Sequence, residues 1–368
     1  MKSINFNSNQ FSYLSNQVKE AMDHANQILT DHKPISFGTD QKVIAETEIA
    51  RNFVADSLKL KAHEVFFAHG NRNSEIDIIN NAVLFLDVKN VYTSKFENRE
   101  KLEYITSLCV SGKINVIFIE TSFLGEIDLV KLDEQLIQSK SKSLISLSHA
   151  NIYTGLLLPI KNISEICAKY ESYFHLNLNL TIGRYPIDLQ KIKPDFCSFD
   201  CSLINGPVGV GIQTFSDRIK ISNQLYNALV DNFRNIENKG LSMIMGFCKA
   251  FSTSIENLDE NKLKISELKN YFIKKTSFLS GIEVLIPEKN KPGLFNLIPL
   301  YIDKTLFGNY TIEKLDLKGI YLQQLVYPLE LEKYNNYQFV SIALNMNISE
   351  SDINYFFDLM QNFKIQIT

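Results

Sequence analysis

Residues 200–211 of the chain read Asp200-Cys201-Ser202-Leu203-Ile204-Asn205-Gly206-Pro207-Val208-Gly209-Val210-Gly211. The segments on either side, 196–199 and 210–214, are short and apolar, as expected of buried strands, while the glycines and the proline between them indicate a loop. An aliphatic side chain, Leu203, stands four residues before the proline. The stretch therefore predicts two buried strands joined by a Gly-rich loop, with residue 203 in the loop.

The same kind of segment recurs through the first two thirds of the chain. Short apolar segments alternate there with helix-length segments such as 40–60, 129–138 and 160–170. This alternation predicts an α/β domain with a mostly parallel sheet covered by helices on both faces, and ligands at the carboxyl ends of its strands. The predicted strands are 64–68, 90–93, 114–119, 143–148, 173–179, 196–199 and 210–214.

The last third has a different texture. A helix-like segment at 263–274 precedes strand-like segments at 282–286, 297–302 and 337–344, and a closing helix at 351–363. The pattern indicates a smaller α+β domain. We expect a large α/β domain over 15–235, with 1–14 and 236–368 forming the small domain.

Composition excludes several classes of function. The chain has 38 basic and 41 acidic residues without a long block of one sign, so nucleic acid is not expected as a partner. Its first residues lack the pattern of a signal peptide, and no apolar run is long enough to span a bilayer. The five cysteines show no zinc-ligand spacing, which favours core packing over a metal site or disulfides. We expect a cytoplasmic protein with no membrane segment.

Several motifs follow one another in the order seen in one enzyme family. Together with the 200–211 stretch they resemble cysteine desulfurases and other proteins of the class V aminotransferase family. The motifs are Ser36-Phe37-Gly38, Glu64-Val65-Phe66-Phe67-Ala68-His69-Gly70, Ser148-His149-Ala150-Asn151 with Gly155 and Pro159-Ile160, Phe174-His175-Leu176-Asn177, Gly183-Arg184-Tyr185-Pro186-Ile187-Asp188, Asp195-Phe196-Cys197-Ser198 and Gly246-Phe247-Cys248-Lys249-Ala250. The resemblance implies the fold-type-I architecture of enzymes that depend on pyridoxal phosphate (PLP), with seven strands in the sheet, usually as a homodimer.

The family residues that hold the PLP ring are replaced in this sequence. The lysine that forms a Schiff base with PLP aligns with Leu203, which carries no amine. The aspartate that pairs with the pyridine nitrogen aligns with Asn177, and the glutamine that bonds the phenolic oxygen aligns with Leu180. The histidine that stacks on the ring aligns near Asn98, and the second asparagine after His149 aligns with Ile152. No catalytic residue and no PLP are therefore expected.

The phosphate site of the family is also changed. In Gly70-Asn71-Arg72-Asn73, an arginine takes the place of the family's phosphate-binding threonine. The family's serine and histidine at this site become Asp200 and Ser202. One hypothesis is an internal ion pair between Arg72 and Asp200 that fills the phosphate site. The alternative keeps Arg72 as an anchor for another anion, with Asp200 turned away.

The substrate side gives no catalytic group either. No cysteine follows Cys248, so the family's nucleophile is absent, and the carboxylate-binding arginine aligns with Ser341. For His149 and Asn151 we expect structural roles at a strand end, and for His175 a hydrogen-bonded place in the core. His69 is a candidate to reach a ligand at the end of its strand.

Three classes of function remain open at this point. The first is a pseudoenzyme, a homodimer or a heterodimer with a related protein, which acts through a protein partner in a sulfur-transfer or biosynthetic system. The second is an enzyme with a repurposed site built from groups such as His69, Arg72, Asn151 and Asp200. The third is a protein that binds a small molecule or a noncovalent cofactor in the old PLP cleft.

Overall fold

A computed structural model describes residues 3–9, 12–30, 37–219, 240–285, 291–329 and 334–364. Its centre is a seven-stranded sheet with the strand order β2-β8-β7-β6-β5-β3-β4. The strand β8 is antiparallel to both of its neighbours, and β7, β6, β5, β3 and β4 are parallel to one another. The strands are β2 (Val65–Ala68), β3 (Asn90–Thr93), β4 (Asn115–Phe118), β5 (Ser143–Ser148), β6 (Tyr173–Asn177), β7 (Phe196–Asp200) and β8 (Gly211–Phe215). The predicted α/β architecture is confirmed.

Helices connect these strands and cover the sheet. They are α1 (Asn16–Thr30), α2 (Phe37–Leu58), α3 (Asn71–Phe85), α4 (Arg99–Val110), α5 (Leu129–Ile137), α6 (Ile160–Lys169), α7 (Leu189–Ile192) and α8 (Leu241–Glu256). Short 3-10 turns occupy Ala62–Glu64 and Ser202–Ile204. In the described ranges, no helix is both long enough and apolar enough to cross a membrane.

Local chemistry explains several of these boundaries. The side chain of Asn98 accepts a hydrogen bond from the Lys101 backbone N–H and so begins α4, and Asp128 begins α5 in the same way. Every residue of β7 and β8 is buried, which accounts for their apolar character. The loop between them contains Asn205 at φ +68°, an angle that asparagine tolerates better than most residues.

The small domain is built on a four-stranded antiparallel sheet in the order β12-β13-β10-β9. A two-stranded parallel sheet pairs β1 with β11. The strands are β1 (Ile4–Asn5), β9 (Ile282–Val284), β10 (Leu297–Asp303), β11 (Ile320–Tyr321), β12 (Gln323–Gln324) and β13 (Tyr337–Ala343). The helices are α9 (Leu258–Thr276), α10 (Lys304–Phe307), α11 (Thr311–Leu317) and α12 (Glu350–Phe363).

The hydrophobic cores divide the chain at a different point from the one expected. Ile244, Phe247 and Phe251 of α8 belong to the core that packs on the large sheet, although α8 lies within 236–368. The small core begins with residues of α9, and Ile4 and Phe6 from the N-terminal segment join it. The division between the two cores therefore falls between α8 and α9, because the apolar face of α8 packs on the large domain.

Candidate functional site

The carboxyl ends of three neighbouring strands bring most of the predicted site together. His149 follows β5, Asn177 ends β6 and Asp200 ends β7, and these strands are adjacent in the sheet. The backbone N–H of His149 donates to the carbonyl of Asn177 over 2.9 Å. Since β5, β6 and β7 are parallel, their carboxyl ends share one edge, where ligands bind in folds of this kind.

Leu203 lies beside this edge in the 3-10 turn after β7. Its side chain is buried, with 7% of the residue exposed. Its carbonyl accepts a hydrogen bond from Arg184 Nη2 over 2.8 Å, which anchors the turn to the loop after β6. Position 203 therefore holds a buried aliphatic side chain in a turn that a hydrogen bond from Arg184 anchors.

Asp200 lies against the N-terminus of α3. A Cβ placed on Gly70, which precedes α3, would be 3.5 Å from Asp200 Oδ2. The other carboxylate oxygen, Oδ1, accepts bonds from the Ser202 backbone N–H over 2.9 Å and the Ser202 hydroxyl over 2.6 Å. A carboxylate is stabilised by the positive end of a helix dipole, so Asp200 occupies a place suited to an anion.

The predicted pair between Arg72 and Asp200 lies outside the described residues. Asn71 and Arg72 form the first turn of α3, and only their backbone is described. The choice between an internal ion pair and an anion anchor therefore stays open.

Asn177 lies close to Glu75, an acidic residue that the sequence did not indicate as part of the site. Its Oδ1 accepts a bond from the Asn179 backbone N–H over 2.8 Å, and its side chain lies near the carboxyl group of Glu75 from α3. Burial of Glu75 raises the pKa of its carboxyl group, and the nearby Lys101 ammonium opposes that shift.

Glu75, Glu97 and Lys101 form a buried charged network, and each of them is at most 3% exposed. Lys101 Nζ lies 3.1 Å from Glu97 Oε2 and 3.4 Å from Glu75 Oε1. Glu97 also accepts bonds from the backbone N–H and the hydroxyl of Ser148 over 2.7 and 2.6 Å. Asn98 donates to Glu75 Oε2 over 2.9 Å, so the residue at the family's ring-stacking position serves this network. The sequence signal was weak, because these polar residues resemble an exposed helix start.

His149 and Asn151 have structural contacts at the end of β5. His149 Nδ1 is 2.9 Å from Thr181 Oγ1, and burial lowers the pKa of His149 to about 4, which leaves the imidazole neutral. Asn151 Oδ1 accepts the backbone N–H groups of Tyr153 and Thr154 over 2.8 and 3.1 Å. These bonds fix the turn that follows the strand.

The two other histidines named in the sequence analysis, His175 and His69, differ sharply in environment. His175 is fully buried, and its ring nitrogens are 2.8 Å from Ser146 Oγ and 2.9 Å from Ser198 Oγ. The desolvation of His175 lowers its pKa well below the usual value, as fits a neutral histidine in the core. His69 is exposed after β2, where its carbonyl accepts the Ser74 hydroxyl over 2.6 Å.

Aromatic side chains from both domains pack together beside the loops that follow β3 and β5. We call Phe96, Tyr153, Tyr301, Tyr327 and Phe339 the aromatic cluster, and each is at most 9% exposed. Tyr327 makes edge contacts with Phe96 and Tyr153, with ring centroids 5.6 and 5.8 Å apart. Its hydroxyl donates to the carbonyl of Phe123 over 2.6 Å. The small domain is thereby attached to the loops that follow β3 and β5.

The last two predicted positions also lie in packed surroundings. Leu180 packs against Leu294, Leu297 and Ala343 of the small domain. Ser341, at the family's arginine position, is 1% exposed on β13. Neither side chain carries a charge that could hold a substrate carboxylate.

Comparison with known proteins identifies relatives of the whole chain. Residues 15–228 match the family described as aminotransferase class-V. The cysteine desulfurase IscS of Dictyoglomus turgidum is 25% identical over 346 residues, which cover 88% of this chain and 84% of that protein. IscS of Clostridium botulinum strain Hall is also 25% identical, over 77% of this chain and 72% of its own.

Solved structures show the same fold. A NifS-like protein aligns with a TM-score of 0.84 and 21% identity, over 98% of this chain and 99% of its own. A NifS-like protein from Rickettsia africae gives 0.82 and 22%, over 98% and 99%. A complex of the cystine C-S lyase C-DES with cysteine persulfide gives 0.79 and 16%, over 98% of both chains.

Proposed function

Because the chain belongs to the class V aminotransferase family and is similar to cysteine desulfurases, we propose that it is a desulfurase-like pseudoenzyme without PLP Schiff-base chemistry. In this proposal the protein acts through protein contacts, as a dimeric scaffold or as the partner subunit of a sulfur-transfer or biosynthetic system. The observation that carries the proposal is the buried aliphatic side chain of Leu203 at the family's lysine position.

The first requirement for PLP binding in this family is an imine between PLP and a lysine, and the site does not provide that lysine. Leucine has no amine, and the lysine that is buried near the strand ends, Lys101, is bound to Glu97 and to the carbonyl of Ser146. The Nζ of Lys101 lies 3.1 Å from Glu97 Oε2 and 3.4 Å from Glu75 Oε1, so these carboxyl groups already occupy the amine that would have to attack an aldehyde. Lys101 is therefore a poor replacement for the family's lysine.

The phosphate is the second requirement. The N-terminus of α3 would have to receive a phosphate, yet Asp200 Oδ2 lies beside Gly70 at that point. Two anions at one helix N-terminus repel each other, and burial strengthens the repulsion because water screens it less. The carboxylate of Asp200 therefore competes with a phosphate for the N-terminus of α3.

The third requirement is a charged partner for the pyridine ring of PLP. The amide of Asn177 carries no charge to hold a protonated ring nitrogen, and its Oδ1 already accepts a bond from the Asn179 backbone N–H. On the substrate side the aromatic cluster packs the domains together, and no cysteine follows Cys248 in the sequence. The residues present do not fit PLP, and no reaction step is assigned to it.

Two measurements test this function. Purified protein given L-cysteine and excess PLP should form no alanine or sulfide above the rate of PLP alone, because no residue of the site can form the internal imine. Sedimentation equilibrium should give twice the 42.2 kDa mass of the chain, or that of a complex with a related subunit. Stoichiometric turnover of L-cysteine would refute the loss of catalysis, and a monomer at all concentrations would refute the dimeric scaffold.

A further inference from the structure

A cavity of about 430 Å³ lies between the two domains, apart from the strand-end residues described above. It is bordered by the N-terminal segment, the turn at Leu203, the facing ends of α8 and α9, and the small domain around Asn296 and Asn345. His149, Asn177 and Asp200 are not among its lining residues. Its volume falls within the range of small-molecule sites, which favour junctions between domains.

Arg184 brings a buried positive charge to this cavity. The residue is 9% exposed, and its guanidinium donates to Asn9 Oδ1 over 2.7 Å and to the carbonyls of Leu203 and Leu180 over 2.8 and 3.4 Å. All three acceptors are neutral. Within the described part of the chain, no ion pair includes Arg184. A buried charge without a counter-ion is costly, so a bound anion would stabilise this arrangement.

The polar groups around Arg184 leave further hydrogen-bonding capacity. Asn296 lines the cavity, and its Oδ1 is buried without a hydrogen-bond partner, as is the neighbouring Asn9 Nδ2. Native proteins leave few buried polar atoms unpaired, so such atoms indicate a water molecule or a ligand. The rest of the lining is rich in hydroxyl and amide groups, including those of Ser8, Ser12, Ser254, Asn257, Asn261 and Asn345.

We propose that this cavity binds a small polar monocarboxylate, whose carboxylate pairs with Arg184 and whose hydroxyl-bearing body lies against the serine and asparagine side chains. The charges favour a monoanion over a phosphate dianion, because one cation, Arg184, and one carboxylate, Asp352, line the cavity among the described residues. The unpaired Oδ1 of Asn296 favours a hydroxy acid over a fatty acid, since a hydroxyl can donate to it and an aliphatic body would leave it without a partner. Leu203 lines this cavity too, but the proposal needs only Arg184 and the polar groups around it and does not require the loss of PLP chemistry.

Isothermal titration with gluconate tests the proposal, and sorbitol serves as the uncharged control of similar size. We expect saturable binding of gluconate and none of sorbitol. Arg184→Met should weaken gluconate binding by at least about tenfold, the loss expected when a buried charged hydrogen-bonding group is removed. Arg99→Met removes an exposed guanidinium that pairs with Glu103, and it should leave the affinity unchanged.

A second variant keeps the test valid if Arg184→Met does not fold. Thr253→Trp adds bulk to a half-buried lining residue and leaves Arg184 in place, so it should abolish gluconate binding by filling the cavity. The proposal is overturned if wild-type protein shows no saturable binding of gluconate, if sorbitol binds equally well, or if inorganic phosphate binds more tightly. Binding that survives in both variants also overturns it.

Discussion

At the scale of single residues, three replaced side chains act together, so restoring any one of them is not expected to restore PLP binding. In the proposed pseudoenzyme, Leu203 replaces the family's amine, Asn177 replaces a charged group at the ring position, and Asp200 adds a carboxylate beside the N-terminus of α3. Each change acts on a different part of a bound cofactor. Restoring one group therefore leaves the other two obstacles in place.

The variant Leu203→Lys tests this interdependence. We expect no imine absorbance with PLP and no alanine from L-cysteine, because Asp200 still opposes the phosphate and Asn177 still faces the ring. The matched variant Asn177→Asp/Asp200→Ser/Leu203→Lys should retain more PLP after desalting than Leu203→Lys does. Recovery of L-cysteine turnover by Leu203→Lys alone would show that the other two changes are harmless.

The sequence identified the positions of these residues but not their surroundings. The order of the motifs gives the family positions of Leu203, Asn177 and Asp200 from the sequence alone, although the predicted strands 173–179 and 196–199 end two residues after and one residue before the observed ones. The proximity of Asn177 and Glu75 could not, because the two residues are far apart in the chain and meet only when α3 packs on the large sheet.

At the scale of elements, α3 and α4 bring charge into the interior of the large domain. Glu75 lies on α3, Lys101 lies on α4, and Glu97 immediately precedes the capping residue Asn98. Their ion pairs and the bonds to Ser148 join both helices to the end of β5. In sequence this polar run is typical of a solvated helix start, so its burial depends on tertiary packing.

Replacement of Lys101 tests the role of this network. Lys101→Met should lower the free energy of unfolding by about 3–5 kcal/mol, because it leaves buried carboxylates without a counter-ion. Lys131→Met, which breaks an exposed ion pair with Glu134 on α5, should leave the stability nearly unchanged. Urea unfolding measures both. The double variant Glu97→Gln/Lys101→Met should recover part of the loss, and equal stability of Lys101→Met and wild type would contradict the role of the pair.

At the scale of the whole molecule, the α/β fold was predicted well because the pattern of a short apolar strand followed by a helix is repeated along the chain. Seven apolar strands alternating with helices leave few other architectures, and each predicted strand of the large sheet overlaps an observed one. The division at α8 was harder to place, since the segment that follows the large domain is apolar and contributes to the same core. The aromatic cluster was also hidden, because its members run from Phe96 to Phe339 and share no local pattern.

A measurement on the intact wild-type chain shows whether the cleft still accepts the family's cofactor. Purified protein should be mixed with excess PLP, treated with borohydride, desalted and analysed by intact mass and absorbance. We predict no imine absorbance before reduction and only scattered, substoichiometric labelling of exposed lysines, because Leu203 offers no amine and Asp200 lies at the N-terminus of α3. A stoichiometric borohydride-stable adduct on one lysine of the wild-type chain, accompanied by an imine absorbance before reduction, would contradict the loss of Schiff-base chemistry.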